Sequence, residues 1–345
     1  MAVTFSRHLL IALAALTLPF SHADTAPAAA VEAARTSIDA ARMSALVKKL
    51  SGPEYGGRLA GSAGDDRARD DLLAEFRAIG LQPAGSEGYL QPFKTTITQP
   101  DGHSHGNPPN PLLGKAASSS NIIGILPGND PLLKQQLIII SAHRDHLGHR
   151  PDGQPYPGAN DDLSGVAATL ELARAFKQLD KANRRTLMFV AYGAEEQEMM
   201  GSIAHVKALV REGRIKDVVL MLSIDMIGSD FDEFQKPAFG KNMVDRWLRQ
   251  AYSNKRNHYD DYSHQYDYEP GPEYDYDAGP FSHCGVNNRV IGRADVDHYH
   301  KITDTWENVD FDTAARVTGS VFDLVWRVDQ KTEKPTQWKR PEDCR

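Results

Sequence analysis

The sequence predicts an α/β fold in which a mostly parallel central sheet is flanked by helices on both faces. Three short runs are apolar almost throughout, as are strands that are buried on both sides. Segments with an apolar residue at every third or fourth position alternate with these runs, which is the spacing of a helix with one buried face. The three runs are residues 137–141, Thr186–Tyr192 and Val218–Ile224. This alternation is typical of strands joined by crossover helices.

The remaining elements follow from the same two periodicities. Helices are predicted at residues 65–79, ended by Gly80, and at 166–176, 203–210, 243–252 and 311–328. Short strands are predicted at 122–126 and 289–291. Residues 97–120 and 258–277 are rich in turn-forming or polar residues and are predicted to be surface loops.

The chain is expected to contain one large folded domain, residues 45–330, between two less regular ends. Residues 1–23 have the features of a secretory signal peptide: Arg7 and His8 precede an apolar run, and small residues precede a cleavage after Ala23. The apolar run, residues 9–20, is shorter than the roughly 20 residues that span a bilayer. We therefore expect no membrane span and export to the periplasm or the medium. Residues 24–44 are expected to be a loose N-terminal leader into a helix that ends at residues 44–50, and 331–345 a C-terminal tail.

Composition excludes some classes of partner. The 345 residues carry a formal net charge of −7 with no basic stripe, so nucleic acid is not an expected partner. The two cysteines, Cys284 and Cys344, are too far apart in sequence to make a zinc–thiolate site by themselves. In an exported protein they could form a disulfide or remain as two free thiols.

Acidic residues and histidines follow the three buried runs directly. The first run leads into His143 and Asp145, the second into Glu195 and Glu196, and the third into Asp225. In open α/β sheets, ligands bind at the carboxyl ends of the strands, so these side chains are expected to converge at one edge.

Asp161 precedes a predicted helix and is expected at the same edge of the sheet. Imidazole nitrogens and carboxylate oxygens are ligands that suit Zn²⁺. Several carboxylates packed together would repel one another, and a pair of divalent ions about 3.5–4 Å apart relieves that repulsion. The sequence therefore favours a metal site.

Five short motifs follow one another along the chain. They are His143-x-Asp145, residues 158–165, Glu195-Glu196 followed by Gly201-Ser202, residues 225–228, and Tyr299-His300 followed by Asp304-Thr305. Together and in this order they resemble the motifs of peptidase family M28, the co-catalytic zinc peptidases. The resemblance covers roughly residues 45–330, which we therefore expect to be an M28-like peptidase domain of the zinc-exopeptidase fold.

The resemblance implies two Zn²⁺ ions that share one carboxylate. His143, Asp161 and Asp225 would hold one ion. Asp161, Glu196 and His300 would hold the other, so that Asp161 bridges the two.

It also implies roles beside the ligands. Glu195 would be the general base that deprotonates a metal-bound water. Asp145 would accept a hydrogen bond from His143 and fix its tautomer, and Tyr299 would donate to the developing oxyanion. A cis peptide bond is expected between Asp161 and Asp162.

Three nearby histidines are not expected to be ligands. His146 and His149 lie in the same loop as His143 and are expected to be exposed. His298 lacks the spacing to Asp304 that His300 has.

Residues 277–281 resemble the family motif Asp-His-x-Pro-Phe, although Ala278 and Gly279 depart from its middle. The neighbouring loop, 258–277, is expected to be a solvated flap, with a border of the substrate cleft or a structural cation site as the alternatives.

The function that follows from the resemblance is hydrolysis of the N-terminal residue of peptides with free N-termini, by a monomeric, zinc-dependent metallo-aminopeptidase. A glutaminyl cyclase-like acyl transferase is one alternative, but such enzymes usually have Ser and Trp where this chain has Asp162 and Tyr299. A carboxypeptidase is another, and Arg144 or Arg293 could then bind the substrate carboxylate. A non-catalytic binding domain would lack ligands or the base, which are all present here.

Overall fold

The computed structural model describes residues 26–98, 110–229, 276–292 and 297–332, together with Cys344. Several predictions concern residues outside these ranges. They are the signal peptide, the helix at 243–252, nearly all of the loop at 258–277, the position of Arg293 and most of the C-terminal tail.

A seven-stranded mixed sheet forms the centre of the molecule. Its strands are β1 (Gln82–Pro83), β2 (Leu90–Thr96), β3 (Ala116–Leu126), β4 (Leu137–His143), β5 (Thr186–Tyr192), β6 (Val218–Ile224) and β7 (Asn288–Ile291). Strands β5, β4, β6 and β7 lie side by side and are parallel. Strand β3 pairs antiparallel with β5, and β1 and β2 pair antiparallel with β3 at the other end of the sheet. The predicted α/β class is confirmed, and the antiparallel end adds strands that the apolar pattern did not reveal.

Helices cover both faces of this sheet. They are α1 (Ala28–Thr36), α2 (Ala40–Leu50), α3 (Ala63–Ile79), α4 (Gly165–Gln178), α5 (Met200–Arg211), α6 (Gly279–His283) and α7 (Phe311–Asp329). Helices α1 to α4 and α7 pack on one face, and α5 and α6 on the other. Within the described ranges, no helix has both the length and the apolar character needed to cross a membrane.

The continuous apolar runs are explained by burial on both sides of the sheet. Every residue of β4, β5 and β6 is buried. Alternate residues of β4 enter opposite cores, with Ile138 and Ile140 facing α4 and Leu137 and Ile139 facing the α5 side. A polar residue on either face would therefore lose its contact with water.

The segment expected to be a loose leader is mostly helical. Asp39 caps α2 by accepting hydrogen bonds from the backbone N–H groups of Ala41 and Arg42. Met43 and Val47 are buried in the core. Helix α2 ends where the sequence predicted a helix to end, whereas α1 was not predicted, because its residues are mainly alanine.

Cys284 and Cys344 form a disulfide with a Cα–Cα distance of 5.1 Å. Of the two possibilities left open by the sequence, the pair is therefore bridged. Both cysteines are buried beside Phe281 of α6, so the bridge ties the C-terminal end to the α5 face of the sheet.

Candidate metal centre

The predicted ligands meet at the carboxyl edge of the parallel strands. His143 is the last residue of β4, Glu196 follows β5, and Asp225 follows β6. Asp161 lies in a tight turn that enters α4, and His300 precedes α7. All five side chains are at least nine-tenths buried.

The first predicted group surrounds the Nε2 atom of His143. Its distance is 3.2 Å to Asp161 Oδ1, 3.7 Å to Asp225 Oδ2 and 3.8 Å to Glu195 Oε2. One potential ligand atom from each of His143, Asp161 and Asp225 lies within 4.8 Å of the others, a spacing compatible with one metal ion. The structure therefore brings these three side chains together as the sequence predicted.

The second predicted group lies on the other side of Asp161. The Nε2 atom of His300 is 3.3 Å from Asp161 Oδ2 and 3.2 Å from Glu196 Oε2. The two carboxylate oxygens of Asp161 thus face different groups, the arrangement expected of a bridging ligand. His298 lies elsewhere, with its Nδ1 atom 3.1 Å from the Thr303 hydroxyl.

The backbone around Asp161 is held by a second aspartate. Asp304 accepts hydrogen bonds from the N–H groups of Asn160 at 2.8 Å and of Asp161 at 3.0 Å. This contact explains why the family motif places an aspartate four residues after His300. The peptide bond between Asp161 and Asp162 is cis, as the resemblance implied.

Asp162 joins three elements of the site. Its carboxylate accepts hydrogen bonds from the backbone N–H groups of His143 at 3.1 Å, Gly165 at 3.0 Å and Met226 at 3.1 Å. The ends of β4 and β6 and the start of α4 are therefore held to one side chain.

Asp145 has a different role from the one that the resemblance implied. The Nδ1 atom of His143 is 3.2 Å from the backbone oxygen of Asp145 but 3.9 Å from its carboxylate. The carboxylate instead accepts from the backbone N–H groups of Glu195 at 3.0 Å and Glu196 at 3.3 Å. A backbone oxygen therefore orients His143, and the Asp145 side chain fixes the turn that carries the two glutamates.

Glu195 lies at the mouth of the first group and is the more accessible of the two glutamates, with a side chain 13% exposed. Burial raises the pKa of its carboxyl well above the ordinary value. The nearby carboxylates of Asp277, Glu196 and Asp225 act in the same direction, and His143 opposes them.

The donor set fits divalent metal ions. Asp161 Oδ2 and Asp225 Oδ1 are buried without a hydrogen-bond partner among the described residues. Burial and the charges of neighbouring carboxylates raise the pKa of Asp225 to about 7, despite the opposing effect of His143. Unpartnered oxygens, imidazole nitrogens and accumulated negative charge together form the environment that Zn²⁺ stabilises.

His146 is buried, contrary to the expectation from the sequence. Its Nδ1 atom is 2.8 Å from Glu196 Oε1 and 3.8 Å from Asp161 Oδ2. A loop position gave no indication of this burial, because the residues that cover the ring come from distant segments. His149, in the same loop, is exposed as expected.

Asp277 is a further acidic residue of the site whose position the sequence did not reveal. It is 1% exposed, and neither carboxylate oxygen has a hydrogen-bond partner among the described residues. The nearby Ser202 hydroxyl donates to the backbone oxygen of Met199 instead. Burial raises the pKa of Asp277 to about 6. The Asp-x-x-Pro-Phe pattern at 277–281 was the available signal.

Tyr299 lies beside the second group. Its ring stacks on that of His300, with centroids 3.8 Å apart and planes 24° apart. The residue is half-buried.

Comparisons with known proteins agree with this architecture. The sequence model described as Peptidase family M28 matches residues 121–325, more than half of the chain. A Pyricularia oryzae protein named "Probable zinc metalloprotease" is 32% identical over 223 residues, which are 59% of this chain and 38% of that protein. The chain therefore corresponds to less than half of that relative's length.

Two solved structures share the fold. An aminopeptidase from Aneurinibacillus sp. strain AM-1 is 19% identical with a TM-score of 0.66, over 90% of this chain and 97% of that chain. A glutaminyl cyclase of Fimbriiglobus ruber is 16% identical with a TM-score of 0.61, over 84% and 95% of the two chains. At these identities the similarity shows the fold and does not distinguish between the two reactions.

Proposed function

The chain belongs to peptidase family M28, and from that membership we propose that it is an exported two-zinc aminopeptidase that removes the N-terminal residue of peptides. The observation that carries the proposal is the geometry of Asp161, whose two oxygens face two separate groups of buried ligand atoms.

The proposed first ion is held by His143, Asp161 and Asp225, and the second by Asp161, Glu196 and His300. When bound, the two ions would supply Lewis-acid activation of water and of the scissile carbonyl. The unpartnered buried oxygens of Asp161 and Asp225 support this assignment.

Glu195 is proposed as the general base and acid. Its Oε2 atom lies within 3.8 Å of His143 Nε2, at the centre of the first group, so it can reach a water positioned there. It would take a proton from the attacking water and deliver it to the leaving amine. The hydrogen bond from its backbone N–H to Asp145 holds the turn in place during both transfers.

Tyr299 is proposed to stabilise the charge that develops on the scissile carbonyl oxygen. Its ring is stacked on His300 at the edge of the centre. From there its phenol group would donate a hydrogen bond to that oxygen, which contributes most where the developing charge is shielded from water.

The charges lining the described part of the site favour a free N-terminus over a free C-terminus. Asp277, which is not one of the proposed ligands and has a pKa of about 6, would be ionised at neutral pH and would attract an α-ammonium group and repel a carboxylate. Arg144, a candidate for binding a substrate carboxylate, is fully buried and paired with Asp65 at 2.9 Å. It is therefore not available for the carboxypeptidase reaction considered from the sequence.

Export is proposed from two observations that support each other. The sequence of residues 1–23 has the pattern of a signal peptide. The disulfide between Cys284 and Cys344 belongs to an oxidising compartment.

The test is a substrate panel assayed with the purified zinc-loaded protein. The panel contains aminoacyl amides, their N-acetylated forms, peptides with a blocked N-terminus and a free C-terminus, and a peptide with N-terminal glutamine. We expect release of amino acids from the substrates with a free N-terminus, the aminoacyl amides and the glutaminyl peptide, and none from the N-acetylated amides or the blocked peptides. Glu195→Gln should retain its zinc and lose about 10² to 10⁴ in kcat, the range for loss of a general base.

Two results would contradict the proposal. Formation of pyroglutamate without release of amino acids would identify a glutaminyl cyclase. Release of C-terminal residues from the blocked peptides would identify a carboxypeptidase.

A further inference from the structure

Among the described residues, His146 is the one buried histidine at the metal centre for which the proposed mechanism has no role. It is fully buried, and its ring lies edge-on to that of His300 with centroids 5.9 Å apart. The ring therefore lies beside the second group of ligands, although it lies outside the family's His-x-Asp motif.

The two oxygens of the Glu196 carboxylate contact different histidines. His146 Nδ1 is 2.8 Å from Oε1, whereas His300 Nε2 is 3.2 Å from Oε2. With a proton on Nδ1, His146 donates to Oε1 and leaves Oε2 directed toward the space between His300 and Asp161. A carboxylate with one oxygen held in this way has lost the freedom to rotate away from a metal ion.

The surroundings fix the His146 ring in this position. Its backbone N–H donates to the carbonyl oxygen of Arg58 at 3.2 Å, and Tyr156 lies against the ring edge. Gly158 approaches so closely that a Cβ atom there would lie 2.5 Å from the ring. Because Gly158 also has a φ of 55°, glycine is favoured at this position for two reasons.

We propose that His146 is a positioning residue that orients Glu196 and thereby sets the affinity of the second zinc position. The inference rests on the proposed two-zinc centre. A neighbour that donates a hydrogen bond to a metal ligand typically contributes 10-fold to 100-fold in metal affinity.

A direct ligand role for His146 makes a different prediction. One potential ligand atom from each of His146, Asp161 and Glu196 lies within 4.8 Å of the others, a spacing compatible with a metal ion. Asparagine separates the two roles, because its side-chain N–H group can occupy the place of Nδ1 as a donor, whereas an amide nitrogen does not bind zinc as imidazole does.

The experiment measures the two zinc dissociation constants by titrating the metal-free full chain with Zn²⁺ against a chromophoric chelator. The proteins are the wild type, His146→Leu, His146→Asn and the exposed loop control His149→Ala. We expect His146→Leu to weaken the second ion by about 10-fold to 100-fold and to leave the first unchanged. His146→Asn should restore most of the affinity, and His149→Ala should match the wild type.

Two outcomes would overturn the inference. Wild-type affinity for the second ion in His146→Leu would show that the contact has no effect on the metal. An equal loss of affinity for the second ion in the Asn and Leu variants, well beyond 100-fold, would make His146 a ligand.

If the wild type itself bound only one ion, the proposed two-zinc function would be wrong, and the inference would be wrong with it. That result is read from the wild-type titration alone. Circular dichroism of each metal-free variant identifies a folding defect, and the Asn variant, which retains the buried donor, tests the inference if the Leu variant does not fold.

Discussion

Among single residues, Asp161 carries most of the proposed function, because its two oxygens face two groups of ligand atoms. We predict that Asp161→Asn loses both zinc ions, whereas Asp225→Asn loses only the ion beside His143. An amide oxygen is a weaker ligand than a carboxylate and carries no charge to offset that of the ions. Zinc per chain after dialysis is the measurement. Equal zinc contents in the two variants would contradict the bridging role of Asp161.

A second prediction at the residue scale concerns the stability of the protein in acid. His205 is buried, with Nδ1 2.8 Å from the Tyr192 hydroxyl and its ring edge-on to Phe281. Burial lowers the pKa of His205 to about 3. The unfolded chain therefore binds a proton below about pH 6.5 that the folded chain does not, and stability falls as the pH decreases from 6.5.

The expected size of this effect is about 1.4 kcal/mol per pH unit below 6.5, or about 2 kcal/mol at pH 5. Urea denaturation of the wild type and of His205→Gln at pH 7.5 and pH 5 measures it. The stability of the wild type relative to the variant should decrease at pH 5. A difference that is the same at both pH values would show that His205 does not titrate in this way.

The sequence predicted that His143, Glu196 and Asp225 converge, because each follows a buried strand, whereas the inclusion of His300 came from the resemblance of its motif to the family. It did not predict the partners of Asp145 or the burial of His146. Both features depend on groups from other segments of the chain that contact these residues in the folded protein. One example is the Arg58 carbonyl oxygen, which accepts a hydrogen bond from the backbone N–H of His146. Asp277 was missed for the same reason, since burial of a carboxylate is not visible from its neighbours in sequence.

Among the secondary-structure elements, helix α4 holds the N-terminal helices through Glu171. The carboxylate of this buried residue accepts from the Asp39 backbone N–H at 3.0 Å, from Arg42 Nη2 at 2.6 Å and from Arg174 Nε at 3.2 Å. We predict that Glu171→Ala lowers the free energy of unfolding by about 1.5–3 kcal/mol, because partly buried donors lose a charged acceptor.

Arg42→Ala should lower the free energy of unfolding by less than Glu171→Ala does. The Arg42 side chain is 47% exposed, and an ion pair with an exposed partner contributes little. Urea denaturation measures both variants, and hydrogen exchange should show faster exchange in α1 and α2 of Glu171→Ala. A larger loss of stability in Arg42→Ala than in Glu171→Ala would contradict this account.

The buried strands were the most predictable elements. Strands β5 and β6 have the bounds that the apolar runs indicated, because burial on both faces requires every residue to be apolar or internally satisfied. The leader was less predictable. Its helix α1 is mainly alanine with Val31 as its one large apolar residue. The start of α2 contacts Glu171, which lies more than a hundred residues later in the chain.

At the scale of the whole molecule, the disulfide between Cys284 and Cys344 joins two segments that are 60 residues apart in sequence. A bridge over a loop of that length restricts the unfolded chain by about 4 kcal/mol in the chain-entropy model. We predict that the double variant Cys284→Ser/Cys344→Ser unfolds at a clearly lower urea concentration. Reduced wild-type protein is the matched control and should unfold with the variant. Equal midpoints for the oxidised wild type and the variant would show that the bridge contributes nothing to stability.

The central claim is that two zinc ions share Asp161 at the carboxyl edge of the parallel strands. Anomalous diffraction at the zinc absorption edge, from crystals of the zinc-loaded protein, tests it most directly. The account predicts two peaks about 3.5–4 Å apart, one beside His143 and Asp225 and the other beside Glu196 and His300. A single peak, or two peaks that do not both contact Asp161, would contradict it.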